Sequence, residues 1–92
     1  MPVFLVSLDL DRIGSNYTSV RKKLVSLNAV QAQGSVWFAK YDGTADQLKH
    51  HIEESLGHND RLFISLINAE WSSVNMNVSG RWLSEQVQAS AE

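Results

Sequence analysis

The sequence predicts an α+β domain, a small sheet with helices gathered on one face. Residues 4–11 alternate apolar and polar side chains with the period of two that a half-buried strand needs. Residues 17–27 and 45–56 carry apolar side chains at helical spacing. Residues 35–41 and 61–67 are short runs rich in aromatic and β-branched residues.

The first strand starts at Phe4 and ends near Leu10. Phe4, Val6, Leu8 and Leu10 form one wholly apolar face; Leu5, Ser7, Asp9 and Asp11 form the other, which ends in two carboxylates. Asp11 to Asn16 reads as a turn-rich loop. A helix is expected from about Tyr17 to Leu27, with Tyr17, Val20, Leu24 and Leu27 as its buried stripe and Ser15 or Asn16 as its cap. Arg21, Lys22 and Lys23 fan over the side away from that stripe. They read as a solvated face or as a phosphate-contacting patch.

Residues 28–34 lead into a second strand, Ser35 to Tyr41. Val36 and Phe38 point one way, and Ser35, Trp37, Ala39 and Tyr41 the other. If the first set meets the helices, Trp37 shares a face with Leu5, Ser7 and Asp9. Thr44 and Gln47 form a capping box opening a helix from Ala45 to Leu56, with Gly57 as its stop. Residues 61–67 are almost continuously apolar, which suggests a strand buried on both faces. Residues 68–72 extend that strand or begin a fourth. Residues 73–80 read as irregular, Arg81 to Val87 as a short helix, and Gln88 to Glu92 as a frayed tail.

Ninety-two residues suffice for a single domain, with a core over about 3–72 and a C-terminal extension over 73–92. There are no cysteines, which removes disulfides, thiolate metal sites and a Cys nucleophile. No segment has the roughly 20 apolar residues of a membrane span, and the N-terminal apolar run lacks the flanks of a signal peptide. The expectation is a cytoplasmic protein with no membrane partner. Net charge is −2, so the whole chain is not a basic nucleic-acid binder. The halves differ: residues 1–50 hold six Lys/Arg against four Asp, and residues 51–92 hold two Arg against six acids. A polyanion contact would use the N-terminal half.

The order of elements is close to the β-α-β-β-α-β ferredoxin-like layout, with two helices on one sheet face. The other face would carry Leu5, Ser7, Trp37 and Phe63, too apolar a surface to leave in water. A homodimer joined through that face is expected. The competing arrangement folds the C-terminal segment, with Trp71 and Trp82, over it.

These features together resemble a known family. A first strand ending in Asp, a first helix, Gln33-Gly34-Ser35-Val36-Trp37, a capped second helix and Asp60-Arg61-Leu62-Phe63-Ile64 are similar, in order and spacing, to CRISPR-associated protein 2 and its SinR-like and virulence-associated-protein-D-like relatives. The resemblance spans about residues 3–67, and Leu66 to Trp82 looks more like the SinR-like branch. It implies a ferredoxin-like homodimer in which Asp9 approaches its twofold mate, a site associated with a divalent metal and phosphodiester cleavage. It also places Ser35 nearby and a basic residue, Arg12, soon after the strand. Residues 69–92 show no equivalent of the strand that CRISPR members exchange between protomers.

A hard cation, Mg²⁺ or Mn²⁺, needs oxygen ligands and keeps several waters, so Asp9 from two protomers would suffice to hold it. Asp11 reads as a second ligand or as a turn residue. The expected function is therefore a dimeric metal-dependent endonuclease acting on RNA or DNA. Asp9 would be catalytic, and Arg12, Arg21, Lys22, Lys23 and Ser35 would contact the nucleic acid. The alternative is a non-catalytic dimeric module binding nucleic acid or protein. Trp37 reads as a base-stacking residue on a bare sheet or as interface core. His50, His51 and His58 read as exposed; the first two are adjacent in a helix and cannot chelate together.

Overall fold

Val3–Asp9 forms β1, the strand on which the sheet is built. In the computed structural model, residues 1–11, 13–68 and 70–91 are described, with backbone alone at 13–16 and 87–91. The chain continues through α1 (Ile13–Ser26), β2 (Val30–Gln33), β3 (Val36–Lys40), α2 (Ala45–Glu53), β4 (Arg61–Leu66) and α3 (Asn77–Ala91). The four strands form one antiparallel sheet in the order β2-β3-β1-β4. The protein is thus an α+β domain with a four-stranded antiparallel sheet and three helices.

The apolar face of β1 packs as its alternation dictates. Phe4, Val6 and Leu8 are buried against Val20 and Leu24 of α1 and Leu48 and Ile52 of α2. Helix α1 begins four residues earlier than its apolar stripe suggests, so Ser15 and Asn16 lie in its first turn rather than before it. Turn-favouring residues are tolerated there because the first N–H groups of a helix lack intrahelical acceptors in any case. Its end is a Schellman motif: the Asn28 N–H donates to Val25 O at 3.0 Å and the Ala29 N–H to Leu24 O at 3.0 Å. Asn28 takes the required left-handed conformation, with φ 59°.

The capping box at α2 is present in both directions. The Gln47 N–H donates to Thr44 Oγ1 at 3.1 Å and the Thr44 N–H to Gln47 Oε1 at 2.9 Å. A Cβ at Gly43 would fall 2.5 Å from Gln47 Oε1, so a larger residue there would have to displace the capping side chain. The helix ends at Glu53, short of Gly57.

Four features depart from the sequence-based expectation. A strand, β2, occupies Val30–Gln33, where a lead-in loop was expected; it joins β3 through the two-residue turn Gly34-Ser35. The facing of β3 is reversed. Trp37 lies opposite Val6 and Phe38 opposite Leu5, so Trp37 belongs to the helix-covered core, only 3% exposed, and shares no face with Leu5 and Ser7. Both faces of β3 are apolar, so alternation could not choose; the space between the helices takes the larger ring, with small Ala39 beside it. Strand β4 is an edge strand, paired on one side to β1, with Phe63 64% exposed. An apolar run does not itself distinguish an edge from an interior position.

The fourth departure is at the C-terminus. Helix α3 starts at Asn77 and continues to Ala91, through the residues expected to fray. Among the described residues, 68 and 70–72 add no strand; Ala69 and Glu92 lie outside them. Leu83 of α3 packs with Val3 and Phe38 on the second sheet face, bordered by Leu5, Val36, Ile67, Trp71, Met76 and Trp82. The face expected to be bare is thus partly covered by the chain's own C-terminal segment. The part beside β4, with Ser7 opposite Phe63, remains outside that cluster.

Candidate functional site

The site grows from the end of β1. Asp9 is the last strand residue, where the ladder no longer buries the side chain, and its carboxylate is 75% exposed. On the neighbouring strand Arg61 lies directly opposite, and its Nη1 is 4.0 Å from Asp9 Oδ2. This exposed pair adds little to stability. On the other side, the Leu8 N–H donates to Ser35 O at 2.8 Å, which fastens the β2–β3 turn to the same end of β1.

Asp60 holds the adjoining loops. Its Oδ1 accepts from the Asp11 N–H at 2.8 Å and its Oδ2 from the Gly57 N–H at 2.6 Å. One half-buried carboxylate therefore ties the β1–α1 loop to the α2–β4 turn. Its role was not anticipated, although an Asp three residues after Gly57 in a turn is a typical backbone-binding position.

Asp9 stands between two clefts. The first, of about 520 Å³, is polar and is lined by Asp9, Asp11, His58, Asn59, Asp60 and Arg61. The second, of about 400 Å³, is bounded by Asp9, Tyr17, Gln31, Ser35 and Trp37 over a floor that includes Leu8. The structure thus brings Asp9 and Asp11 to one cleft and Asp9 and Ser35 to the other. Arg12 lies outside the described residues.

The three cations of α1 do not form one patch. Arg21 reaches toward β2, where its Nη1 donates to Gln31 Oε1 at 3.5 Å, and its guanidinium lies 5.7 Å from the Trp37 ring centroid. Lys23 turns the other way, to Glu54 at the C-terminal cap of α2, with Nζ 3.7 Å from Oε2. Lys22 is exposed. Of the residues expected at an interface, Ser7 and Phe63 share the uncovered part of the second face, Leu5 lies at the border of the α3 cluster, and Trp37 is on the opposite side.

Gln31 and Arg61 were missed as site residues. The alternation of Val30-Gln31-Ala32-Gln33 before Gly34-Ser35 is a hairpin signal that would have exposed Gln31. Arg61 follows from pairing the charged ends of β1 and β4.

Away from this end, α2 carries an exposed ion cluster. Lys49 Nζ is 2.9 Å from Asp46 Oδ1, and His50 Nδ1 is 2.8 Å from Glu53 Oε1. The hydrogen bond and charge of Lys49 lower the Asp46 pKa, and Asp46 in turn raises that of Lys49. Among the described residues, no three His, Asp or Glu side chains converge as a metal-binding group. No described helix is long and apolar enough to cross a membrane. No protein-family model matches the chain, and no solved structure matches it at a significant level.

Proposed function

We propose that the protein is a small metal-dependent endonuclease that works as a homodimer, with Asp9 of each copy at the reaction centre. The observation that carries this reading is the position of Asp9, an exposed carboxylate at a strand end, bordered by Asp11 on one side and by Ser35 on the other. Two features support the CRISPR-associated protein 2 superfamily, SinR-like branch, as the class. One is the strand order β4-β1-β3-β2, all antiparallel, with α1 and α2 on one face, which fits a ferredoxin-like core. The other is the strand-end Asp itself.

The donors fit a hard cation. Asp9 and Asp11 offer carboxylate oxygen in a polar cleft, and the missing convergence within one chain is what a second copy would supply. Bound there, Mg²⁺ or Mn²⁺ would activate water and offset charge developing on a phosphodiester. The chain's own residues do the rest. Asp60 fixes the backbone of Asp11, Arg61 stands opposite Asp9 at the edge of the cleft, and Arg21 supplies positive charge on the flank. The second copy would cover the open strip at Ser7 and Phe63.

The test is cleavage of single- and double-stranded RNA and DNA in Mg²⁺, Mn²⁺ and EDTA, comparing wild type with Asp9→Ala. The expected result is metal-dependent cutting that falls at least about a hundredfold in the variant while fold and association state stay unchanged. No cutting by either protein would favour a non-catalytic dimer that binds nucleic acid or protein, and equal cutting by both would remove Asp9 from the reaction centre. That second reading draws on one observation: Arg61 already gives Asp9 an ordinary ion-pair partner.

A further inference from the structure

We propose that the cleft between α1 and the β2–β3 hairpin is a nucleobase subsite that takes one unpaired base. The identity of the polymer rests on the phosphodiester reading above. The two clefts flanking Asp9 differ in chemistry. One is acidic and suits a cation. The other is walled by aromatic and aliphatic surface, with Asp9, Gln31 and Ser35 at its polar positions.

At about 400 Å³ the cleft is in the range that holds a nucleoside-sized ligand. A base still paired within a duplex cannot present its edge to a concave site, whereas an unpaired base can be splayed into one. Arg21 lies over the Trp37 ring, and Trp37 is buried, so the indole closes the floor rather than offering a free face. Tyr17 is half-buried and supplies the ring against which a base would stack. Gln31 is held at both ends of its amide, by Arg21 at 3.5 Å and by Gly34 O at 3.3 Å. These contacts fix the hairpin wall and keep the Arg21 charge beside the opening. The same guanidinium is exposed and can meet the phosphate attached to the bound base.

The experiment uses fluorescein-labelled eight-nucleotide single strands and duplexes of RNA and DNA, titrated by anisotropy in EDTA so that nothing is cut. The proposal expects single strands to bind at least tenfold tighter than duplexes. It expects Tyr17→Ala to weaken single-strand binding about tenfold and Tyr17→Phe to stay within about threefold. Comparable affinity for RNA and DNA points to the base alone, and a preference for RNA adds a contact to the 2′-hydroxyl; both support the subsite. Binding that is absent, equal for duplexes, or unmoved by Tyr17→Ala overturns it. If Tyr17→Ala does not fold, amide shifts of Gly34 and Ser35 on titrating wild type with uridine and adenosine monophosphates decide instead; shifts there support the subsite, and their absence overturns it. Selective single-strand binding without metal-dependent cutting would sink the nuclease and keep the subsite. Cutting that Tyr17→Ala leaves intact, with unchanged binding, would do the reverse.

Discussion

The two faces of the sheet are built differently. On the α1/α2 face, Val6, Leu24, Leu48 and Ile52 are fully buried and Trp37 nearly so, in one cluster spanning three strands and two helices. On the α3 face the buried set shrinks to Val3, Phe38 and Leu83, and an apolar cavity of about 230 Å³ lies between the sheet, Trp71 and Met76. Val74 and Val78, at the entry to α3, are each 81% exposed. Close packing of the first face gives the domain its stability. The second face is packed more loosely and is open beside β4.

The largest expected effect contrasts one leucine from each face. Leu24→Ala should cost about 3–5 kcal/mol, because its cavity is closed on all sides. Leu83→Ala should cost about 2 kcal/mol, since the neighbouring void already deprives that side chain of partners. Urea unfolding of the two variants measures the gap, and equal losses would dissolve the distinction between the faces. Thr44→Ala comes next. It removes one half of the α2 capping box and should cost about 1 kcal/mol in the same assay.

Phe63→Ser sharpens the comparison from the open side. The monomer should keep its stability within about 0.5 kcal/mol, the usual range for an exposed position. Sedimentation should show the proposed dimer dissociating; an unchanged association state would place any interface elsewhere. The smallest effect belongs to Asp46→Asn. Folding lowers the Asp46 pKa, so its contribution is present above the ordinary carboxylate range and fades as pH falls through the lowered folded value. Melting curves of wild type and variant should differ slightly at neutral pH and converge in acid.

Much of the first face was legible from the sequence. The alternation of β1 identified Phe4, Val6 and Leu8, the stripe of α1 identified Val20 and Leu24, and Thr44 with Gln47 marked the start of α2. Each is a local signal with a fixed period or offset. The facing of Trp37 was not legible, because Val36-Trp37-Phe38-Ala39 is apolar on both sides and only pairing with β1 sets its orientation. The edge position of β4 depends on strand order, which no residue of β4 encodes. Helix α3 was half seen: residues 73–80 read as irregular, yet the helix begins at Asn77, and the missing Cβ of Gly80 admits Ser73, whose Oγ would lie 3.2 Å from a Cβ there. At the site, Asp9 and Ser35 were legible as ends of elements. Gln31, Arg61 and Asp60 act through pairing and loop closure, which become visible only once the chain has folded.

The free edge of β4 also sets how this protein would fail. Leu62-Phe63-Ile64-Ser65-Leu66-Ile67 is an uncharged, proline-free, strand-prone hexamer beside a row of open backbone groups. Arg61 guards one end of it as a charged gatekeeper. The residue that pairs with Asp9 therefore also hinders edge-to-edge stacking into fibrils. Arg61→Ala would lower the concentration at which the purified protein forms thioflavin-positive aggregate, even where its folding and chemistry were untouched.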